Sequence, residues 1–459
     1  MSATKQKCVF QQPEQIFPCT ASDADNNRLK LSGVYAQRQK GLWMQRIKIQ
    51  GGMLEPEDWR TLAELARIYT PGTPLLLTTR QCIEFHNITL EQLPELQRQL
   101  ARSGFSGQGA CGDTLRNITL CPGSGLCPDS ADFTAAAAAT RQALESFEDV
   151  YRLPRKFKIS FSGCERHCAQ PFINDLGFSA QVRGSSITIK LFGAGSLGAR
   201  PETGIELISD ISAEHIPALA LAALRVFNSH GNRTNRRKAR LRHIRQELGD
   251  EAFITLLKNE YAACKTQAAP GPPVPLSESA MQPAAQIKIP CGLLTPEHAE
   301  AIAEILIQTN ACARIQNHHS IEFFSANRAA VCATLHENPV LKQLHGGPDI
   351  VACPGTTYCS QAIVDTHAAE KALRAHLPSS YTTPIRISGC PNGCSHATIG
   401  PIGLSGRTQK DTAGKPVEGF QVLIGGRLGQ QSGCARKLKA FVPTSEIAEF
   451  IQDMSVQKQ

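Results

Sequence analysis

One cysteine arrangement occurs twice in this chain, once in each half, and it constrains the fold more than any other feature. The first copy is Cys121-x5-Cys127 followed by Cys164-x3-Cys168; the second is Cys353-x5-Cys359 followed by Cys390-x3-Cys394. The surroundings repeat as well. Leu-Cys-Pro-Gly-Ser-Gly-Leu-Cys at 120–127 answers Ala-Cys-Pro-Gly-Thr-Thr-Tyr-Cys at 352–359, and Ile-Ser-Phe-Ser-Gly-Cys at 159–164 answers Ile-Arg-Ile-Ser-Gly-Cys at 385–390. Gly52-Met-Leu-Glu-Pro-Glu matches Gly292-Leu-Leu-Thr-Pro-Glu at an offset of 240, Ile83-Glu-Phe matches Ile321-Glu-Phe at 238, Cys121 matches Cys353 at 232, and Cys164 matches Cys390 at 226. A steadily shrinking offset marks a collinear repeat whose second copy has shorter loops. The chain is internally duplicated.

Each cysteine set offers four thiolates from two loops, the donor type and number of a cubane iron–sulfur cluster. Structural zinc loops usually close with two to four residues between paired cysteines, narrower than x5, so a cluster is expected rather than zinc. The other cysteines (Cys8, Cys19, Cys82, Cys111, Cys264, Cys291, Cys312, Cys332 and Cys434) show no metal spacing and are expected to be buried thiols.

Within each copy the apolar period alternates. Segments 42–49 and 75–79 read as strands; Trp59, Leu62, Leu65 and Ile68 mark one helix face, and Leu93, Leu96 and Leu100 another. This predicts a small α+β module with helices on one side of a sheet. A larger mixed module follows, with a helix after each C-x5-C pair (133–147 and 362–373) leading to a strand that ends at each C-x3-C pair.

At 459 residues the chain calls for several domains, and 41% apolar with 19% charged residues is a globular composition. No apolar run reaches the ~18 residues of a membrane span; the best, 216–227, is shorter and contains Pro217. The first residues lack the apolar stretch of a secretory signal, and seventeen cysteines, an odd number with metal spacing, argue for a reducing cytoplasm over a disulfide framework. A net charge of +8 suits an acidic protein partner or an anionic substrate. The basic stretch 235–245 lacks interleaved aromatics, so it reads as a solvated helix face and nucleic acid is not expected as a partner. A Pro-rich linker follows at 268–275.

The pattern Cys353-x5-Cys359 with Ser388-Gly-Cys390-Pro-Asn-Gly-Cys394 resembles that of the siroheme-dependent sulfite and nitrite reductases. Further matches fall in order: Gly33-Val-Tyr, Gly51-Gly52, Thr78-Thr79-Arg80-Gln81, Cys111-Gly-Asp-Thr-Leu-Arg116-Asn117, Leu153-Pro-Arg-Lys156-Phe-Lys158, and Gly425-Gly426-Arg427-Leu-Gly429. The resemblance covers roughly residues 30–450. It implies an α+β fold with two ferredoxin-like modules and two larger siroheme/iron–sulfur modules related by pseudo-two-fold symmetry. The expected boundaries are an N-terminal extension at 1–29, ferredoxin-like modules at 30–106 and 280–345, siroheme/iron–sulfur modules at 107–230 and 346–455, and the basic helix with its linker at 231–279.

The same resemblance implies a siroheme whose iron shares one thiolate with a 4Fe–4S cluster held by Cys353, Cys359, Cys390 and Cys394, with Cys394 as the bridge. It places Arg80, Arg116, Lys156 and Lys158 around the open face of the siroheme iron. There the arginines would bind an oxyanion and the lysines would supply protons. Arg80, Gln81, Asn117, Asn392, Gly425, Gly426 and Arg427 are the expected cofactor contacts.

At the repeat offsets these cations become His318, Pro348, Thr382 and Pro384, so the working site should join first-half cations to the second-half cluster. The first quartet, Cys121, Cys127, Cys164 and Cys168, departs from the single-site assimilatory pattern. It resembles the two-subunit dissimilatory sulfite reductases, and a second 4Fe–4S cluster is expected there. A siroheme beside that cluster would face the cation-depleted copy and be a poor catalyst.

Lysine at position 158 resembles sulfite reductases, where nitrite reductases commonly carry asparagine. Six-electron reduction of sulfite to sulfide is therefore the expected reaction, with reduction of nitrite to ammonia as the alternative. A precorrin-3B synthase-like enzyme would not need the Arg/Lys ring, and a non-catalytic electron-transfer protein would carry clusters alone. No glycine fingerprint for FAD or NAD(P)H opens a βαβ unit, so electrons should come from ferredoxin or a flavoprotein subunit.

Overall fold

The computed structural model describes residues 28–429 and 433–456. Residues 1–27 of the expected N-terminal extension, with Cys8 and Cys19, lie outside the described residues. The chain is a duplicated α+β protein, as the resemblance implied, and the duplication is visible bond by bond. Strands Thr119–Leu120, Ile159–Ser162, Leu176–Arg183, Ser186–Gly193 and Ile205–Ile211 form one sheet in that order. The first three run parallel and the last two antiparallel. Strands Ile350–Ala352, Ile385–Ser388, Ile402–Lys410, Pro416–Ile424 and Arg436–Pro443 repeat the order and the directions. Each C-x5-C loop leaves the first strand of its sheet and each C-x3-C loop leaves the second, so parallel neighbours deliver all four cysteines to one end of the sheet.

The smaller modules carry strands Trp43–Lys48, Leu75–Leu77 and Cys82–Ile88 in the first copy, and Gln282–Lys288, Cys312–Ile315 and Ser320–Ser325 in the second. In each, a helix starts with proline in its first turn behind a reciprocal side-chain cap. Glu55 and Asp58 cap Pro56–Tyr69, and Thr295 and His298 cap Pro296–Thr309. The two helices pack on each other. Arg67 reaches Glu297 at 3.3 Å and also pairs with Glu300, but these charges are exposed and contribute little. What joins the modules is one continuous core that includes Ile47, Trp59 and Leu62 from the first and Ile302, Ile305 and Phe323 from the second.

Two glycines make this symmetric joint possible. A Cβ on Gly52 (φ 71°) would lie 2.3 Å from the carbonyl of Ile315, and one on Gly292 (φ 72°) would lie 2.7 Å from the carbonyl of Leu77. Each copy's kink therefore abuts the other copy's strand, and Leu293–Leu294 pairs directly with Leu75–Leu76.

Several expectations change. Ile68 is 56% exposed: helix Pro56–Tyr69 turns it away from the face formed by Trp59, Leu62 and Ala66. The apolar run 216–227 lies in the buried helix Ile216–His230. The basic stretch is largely not a solvated face. Arg240 pairs with Asp175 at 2.7 Å, Arg236 with Asp113 at 2.7 Å, and Arg242 and Arg245 with Glu202. Cys434 is exposed, and Cys312 and Cys332 are half-buried, unlike the buried Cys82, Cys111, Cys264 and Cys291. Among the described residues no helix is long and apolar enough to cross a membrane.

Candidate active site

Lys156 and Lys158 flank Phe157 on extended backbone leading into strand Ile159–Ser162. Phe157 is fully buried, so the alternation of an extended chain sends both lysines to the opposite side. Arg116 joins them because its N–H donates to the carbonyl of Phe157 at 2.9 Å. Arg80 sits in the turn before strand Cys82–Ile88. Its Nη1 donates to Asn174 Oδ1 at 2.8 Å, and its Nη2 to the carbonyls of Asn117 (2.7 Å) and Ile159 (3.1 Å). The guanidinium of Arg116 is likewise held by the carbonyls of Ala110 and Gly112 at 2.7–3.1 Å. These four cations, drawn from separate segments of the first half, form one cluster.

Two residues that sequence reasoning passed over position it. The fully buried carboxylate of Asp175 accepts the backbone N–H of Lys158 at 2.8 Å and pairs with Arg240 at 2.7 Å, while the Leu176 N–H donates to the Lys158 carbonyl at 3.1 Å. Asn174 fixes Arg80. At offset 226 their counterparts are Gly400 and Pro401, so the copy that lost the cations also lost the pair that orients them. The comparison that marked the cations would have marked this pair too.

The cluster is short of negative charge. Among the described residues no carboxylate pairs with the ammonium of Lys156 or Lys158, and Arg80 Nε is buried without a partner. Burial, reinforced by Arg116 and Arg240, pushes Lys156 down to about 7. Burial, with Arg80 and Lys156 nearby, pushes Lys158 well below the lysine range. Arg80 falls to about 10 for the same first reason. Uncompensated buried cations are costly, and a group rich in carboxylates is what this arrangement fits.

The second-half cysteines face it. Cys353 and Cys390 end neighbouring parallel strands, and Cys359 ends the short helix Gly355–Tyr358. The Gly389 N–H donates to Cys353 Sγ at 3.1 Å. Burial first, then Cys394, pushes the Cys353 thiol up to about 12. Burial likewise pushes the Cys359 and Cys390 thiols up, and a metal centre is what would hold such thiols as thiolates. Among the described residues no three His, Cys, Asp or Glu side chains converge on a point that a single ion could occupy. A cubane spreads its ligands wider, over four corner irons.

Cys394 is exposed, its carbonyl accepts from Thr79 Oγ1 at 2.8 Å, and it lies close enough to Lys156 and Lys158 to act against the effect of burial on them. First-half residues also grip the C-x5-C loop. Arg38 Nη2 donates to the Ala362 carbonyl (2.8 Å), Gln39 to that of Thr357 (2.6 Å), and His86 stacks on Tyr358 with ring centres 4.1 Å apart.

The remaining predicted contacts are more dispersed. The buried carboxamide of Gln81 donates to the carbonyls of Leu120 and Ile315 (both 2.9 Å) and accepts the Leu120 N–H (2.9 Å), so it ties the two copies together. Asn117 Nδ2 donates to the carbonyls of Ile49 (2.9 Å) and Arg80 (3.0 Å). Asn392 bonds to Cys390. The loop with Gly425, Gly426 and exposed Arg427 runs towards the first cysteine set, where the Gly429 N–H meets Gln170 Oε1 at 3.0 Å. In the second copy the charges near the equivalent position are paired or neutral. Arg386 pairs with Asp349 at 2.9 Å, and burial holds His318 neutral, at about 4.

Fold and site together bring a first-half cluster of cations up to a second-half set of four cysteines, the arrangement of a candidate redox centre. The "Nitrite and sulphite reductase 4Fe-4S domain" matches residues 111–266 and 348–456, and the "Nitrite/Sulfite reductase ferredoxin-like half domain" matches 35–103. The chain belongs to this nitrite and sulfite reductase family, and its cofactors are siroheme and a 4Fe–4S cluster. It is 29% identical to the assimilatory ferredoxin-dependent nitrite reductase of Haloferax mediterranei, over 93% of this chain and 81% of that protein. It is 28% identical to sulfite reductase (ferredoxin) 2 of Mycolicibacterium paratuberculosis, over 93% and 84%. Its fold matches the structure of the Mycobacterium tuberculosis NirA protein with a TM-score of 0.81 at 24% identity, covering 94% of this chain and 87% of that one.

Proposed function

We propose that the chain reduces nitrite to ammonia, taking electrons singly from ferredoxin. The observation that carries an oxyanion reductase is the buried cluster of Arg80, Arg116, Lys156 and Lys158, with Cys394 of the other copy close enough to act on both lysines. Nitrite is favoured because the relatives are mostly ferredoxin-dependent nitrite reductases, including that of Spinacia oleracea, 27% identical over 94% of this chain and 77% of that protein. This reverses the order expected from Lys158 alone. That argument needs a fixed fourth charge, whereas burial beside Arg80 and Lys156 makes the charge on Lys158 conditional on the anions that enter the site.

Cys353, Cys359, Cys390 and Cys394 would hold the cluster, and Arg80, Arg116, Lys156 and Lys158 would take the siroheme carboxylates and the substrate oxygens. When bound, the siroheme supplies the iron that holds the substrate atom, and the cluster supplies electrons one at a time. The protein's own part is electrostatic. Arg80 and Arg116, braced by backbone carbonyls, keep their charge in place without reorganising. Burial beside Arg116 and Arg240 makes Lys156 a stronger acid than an exposed lysine, which suits it to hand a proton to an oxygen as its bond to nitrogen breaks. A sulfite reductase is the second reading, and the ammonium at position 158 is the observation that favours it.

Reduced viologen assays of the holoprotein on nitrite and sulfite in parallel test the choice. A higher kcat/KM for nitrite supports the first reading; a higher value for sulfite overturns it in favour of the second.

A further inference from the structure

The first cysteine quartet repeats the second down to its backbone. Cys121 N–H donates to the Phe161 carbonyl at 2.8 Å, as Cys353 does to Ile387 at 3.0 Å. Cys127 N–H donates to Gly123 at 2.8 Å, as Cys359 does to Gly355 at 3.0 Å. Ala131 closes on Gly163 at 2.7 Å, as Ile363 does on Gly389 at 2.8 Å. Beyond the cysteines, Gln170 N–H meets His167 at 2.8 Å, as His396 meets Gly393 at 3.1 Å. Left-handed backbone recurs at the same places. His167 has φ 54° against 68° for Gly393, and Gln170 has 53° against 68° for His396. Holding a histidine where the other copy uses glycine carries a conformational cost, and the cradle keeps that shape nonetheless.

The thiols inside it interact. Cys121 and Cys127 are buried, Cys164 and Cys168 half-buried, and the Cys121 thiol hydrogen-bonds Cys168. Arg166 Nε lies 3.5 Å from Cys164 Sγ, and its charge also acts on Cys127 and Cys168. A tetrathiolate cubane is an anion, and a guanidinium at its edge offsets that charge.

We propose that Cys121, Cys127, Cys164 and Cys168 hold a second 4Fe–4S cluster that stands without a siroheme. It lacks the macrocycle because Cys168 answers Cys394 in the repeat, while the positions that answer the four cations are His318, Pro348, Thr382 and Pro384, and the second-copy group that acts on Cys168 is the carboxylate of Glu322. Such a cluster takes one electron from a low-potential one-electron donor, passing from the 2+ to the 1+ core, and returns it as it is reoxidised. Its role is electron storage or relay beside the catalytic centre, whichever oxyanion that centre reduces.

The test is metal and sulfide content per siroheme in full-length, anaerobically purified protein, compared with a Cys121→Ser/Cys164→Ser variant. The wild type should hold about eight cluster irons and about eight acid-labile sulfides per chain, and the variant about half of each with siroheme unchanged. The reduced wild type should also show an uncoupled cluster spectrum that the variant loses. About four cluster irons in the wild type, or zinc in place of the second set, would overturn the proposal, and the wild-type count decides the matter even if the variant does not fold.

Discussion

Thr79 Oγ1 donates to the backbone carbonyl of Cys394 at 2.8 Å, joining the loop that carries Arg80 to the loop that ends the second-half cysteine set. The contact spans the two copies of the repeat. Together with the hold of Arg38 and Gln39 on loop 357–362, it makes the candidate centre a property of the joint. The four cations come from one copy and the cysteine set that faces them from the other.

Asp175 should govern activity without touching substrate. In Asp175→Asn the Lys158 N–H keeps an acceptor at best, while Arg240 loses its counter-charge. A charge-assisted hydrogen bond is worth about 1.5–3 kcal/mol, so kcat/KM should fall roughly 10- to 100-fold for either oxyanion. Arg240→Lys, which keeps the charge, should fall less. Unchanged kinetics in Asp175→Asn at full siroheme content would remove its positioning role.

Lys158→Asn should separate the substrates. Sulfite as the dianion carries more charge than nitrite and gains more from a fourth cation, so its kcat/KM should drop further, by about 1–3 kcal/mol of differential stabilisation. Equal losses at full siroheme occupancy would show that Lys158 does not select. A fall in siroheme content would identify it as a cofactor anchor instead.

Lys156 predicts how stability varies with pH. Its folded pKa, about 7, lies below its unfolded value, so between about pH 7 and 10 the unfolded chain binds the extra proton and stability rises with pH. Siroheme-free protein should therefore show a higher denaturant midpoint at pH 9 than at pH 7. Lys156→Met should raise the midpoint at pH 7 and flatten that slope while abolishing siroheme retention. A slope that survives in the variant would assign the effect to other groups.

The glycine joint is testable by Gly52→Ala. The new Cβ would enter a left-handed position and collide with the Ile315 carbonyl, costing about 1–3 kcal/mol and lowering the thermal midpoint by several degrees. Gly184→Ala, also at positive φ (59°) but with open space around it, should cost less. Equal effects would mean that the clash between copies does not matter.

The cysteine spacing and shrinking offset made the duplication readable from the chain and marked the candidate cluster sites, because metal chemistry fixes residue type and loop length together. Lys156 and Lys158 were readable only through the resemblance of the 153–158 motif; the alternation around the buried Phe157 that sends them to one side emerged with the structure. Other features have no local signature. Gln81 acts through two carbonyls of the first copy and one of the second. The arginines of 235–245 look solvent-bound until Asp113, Asp175 and Glu202, distant in sequence, arrive beside them. Ile68 fits an apolar stripe by spacing but lies off the face that the second module covers.

The central claim is that first-half cations and the second-half cluster form the single catalytic centre, with Cys394 as the shared thiolate. Mössbauer or EPR measurement of electronic coupling between siroheme iron and a cluster, in Cys394→Ser beside Cys168→Ser, tests it most directly. The account predicts that coupling and activity vanish in Cys394→Ser, while siroheme coupling persists in Cys168→Ser. Coupling that survives in Cys394→Ser, or is lost only in Cys168→Ser, would contradict it.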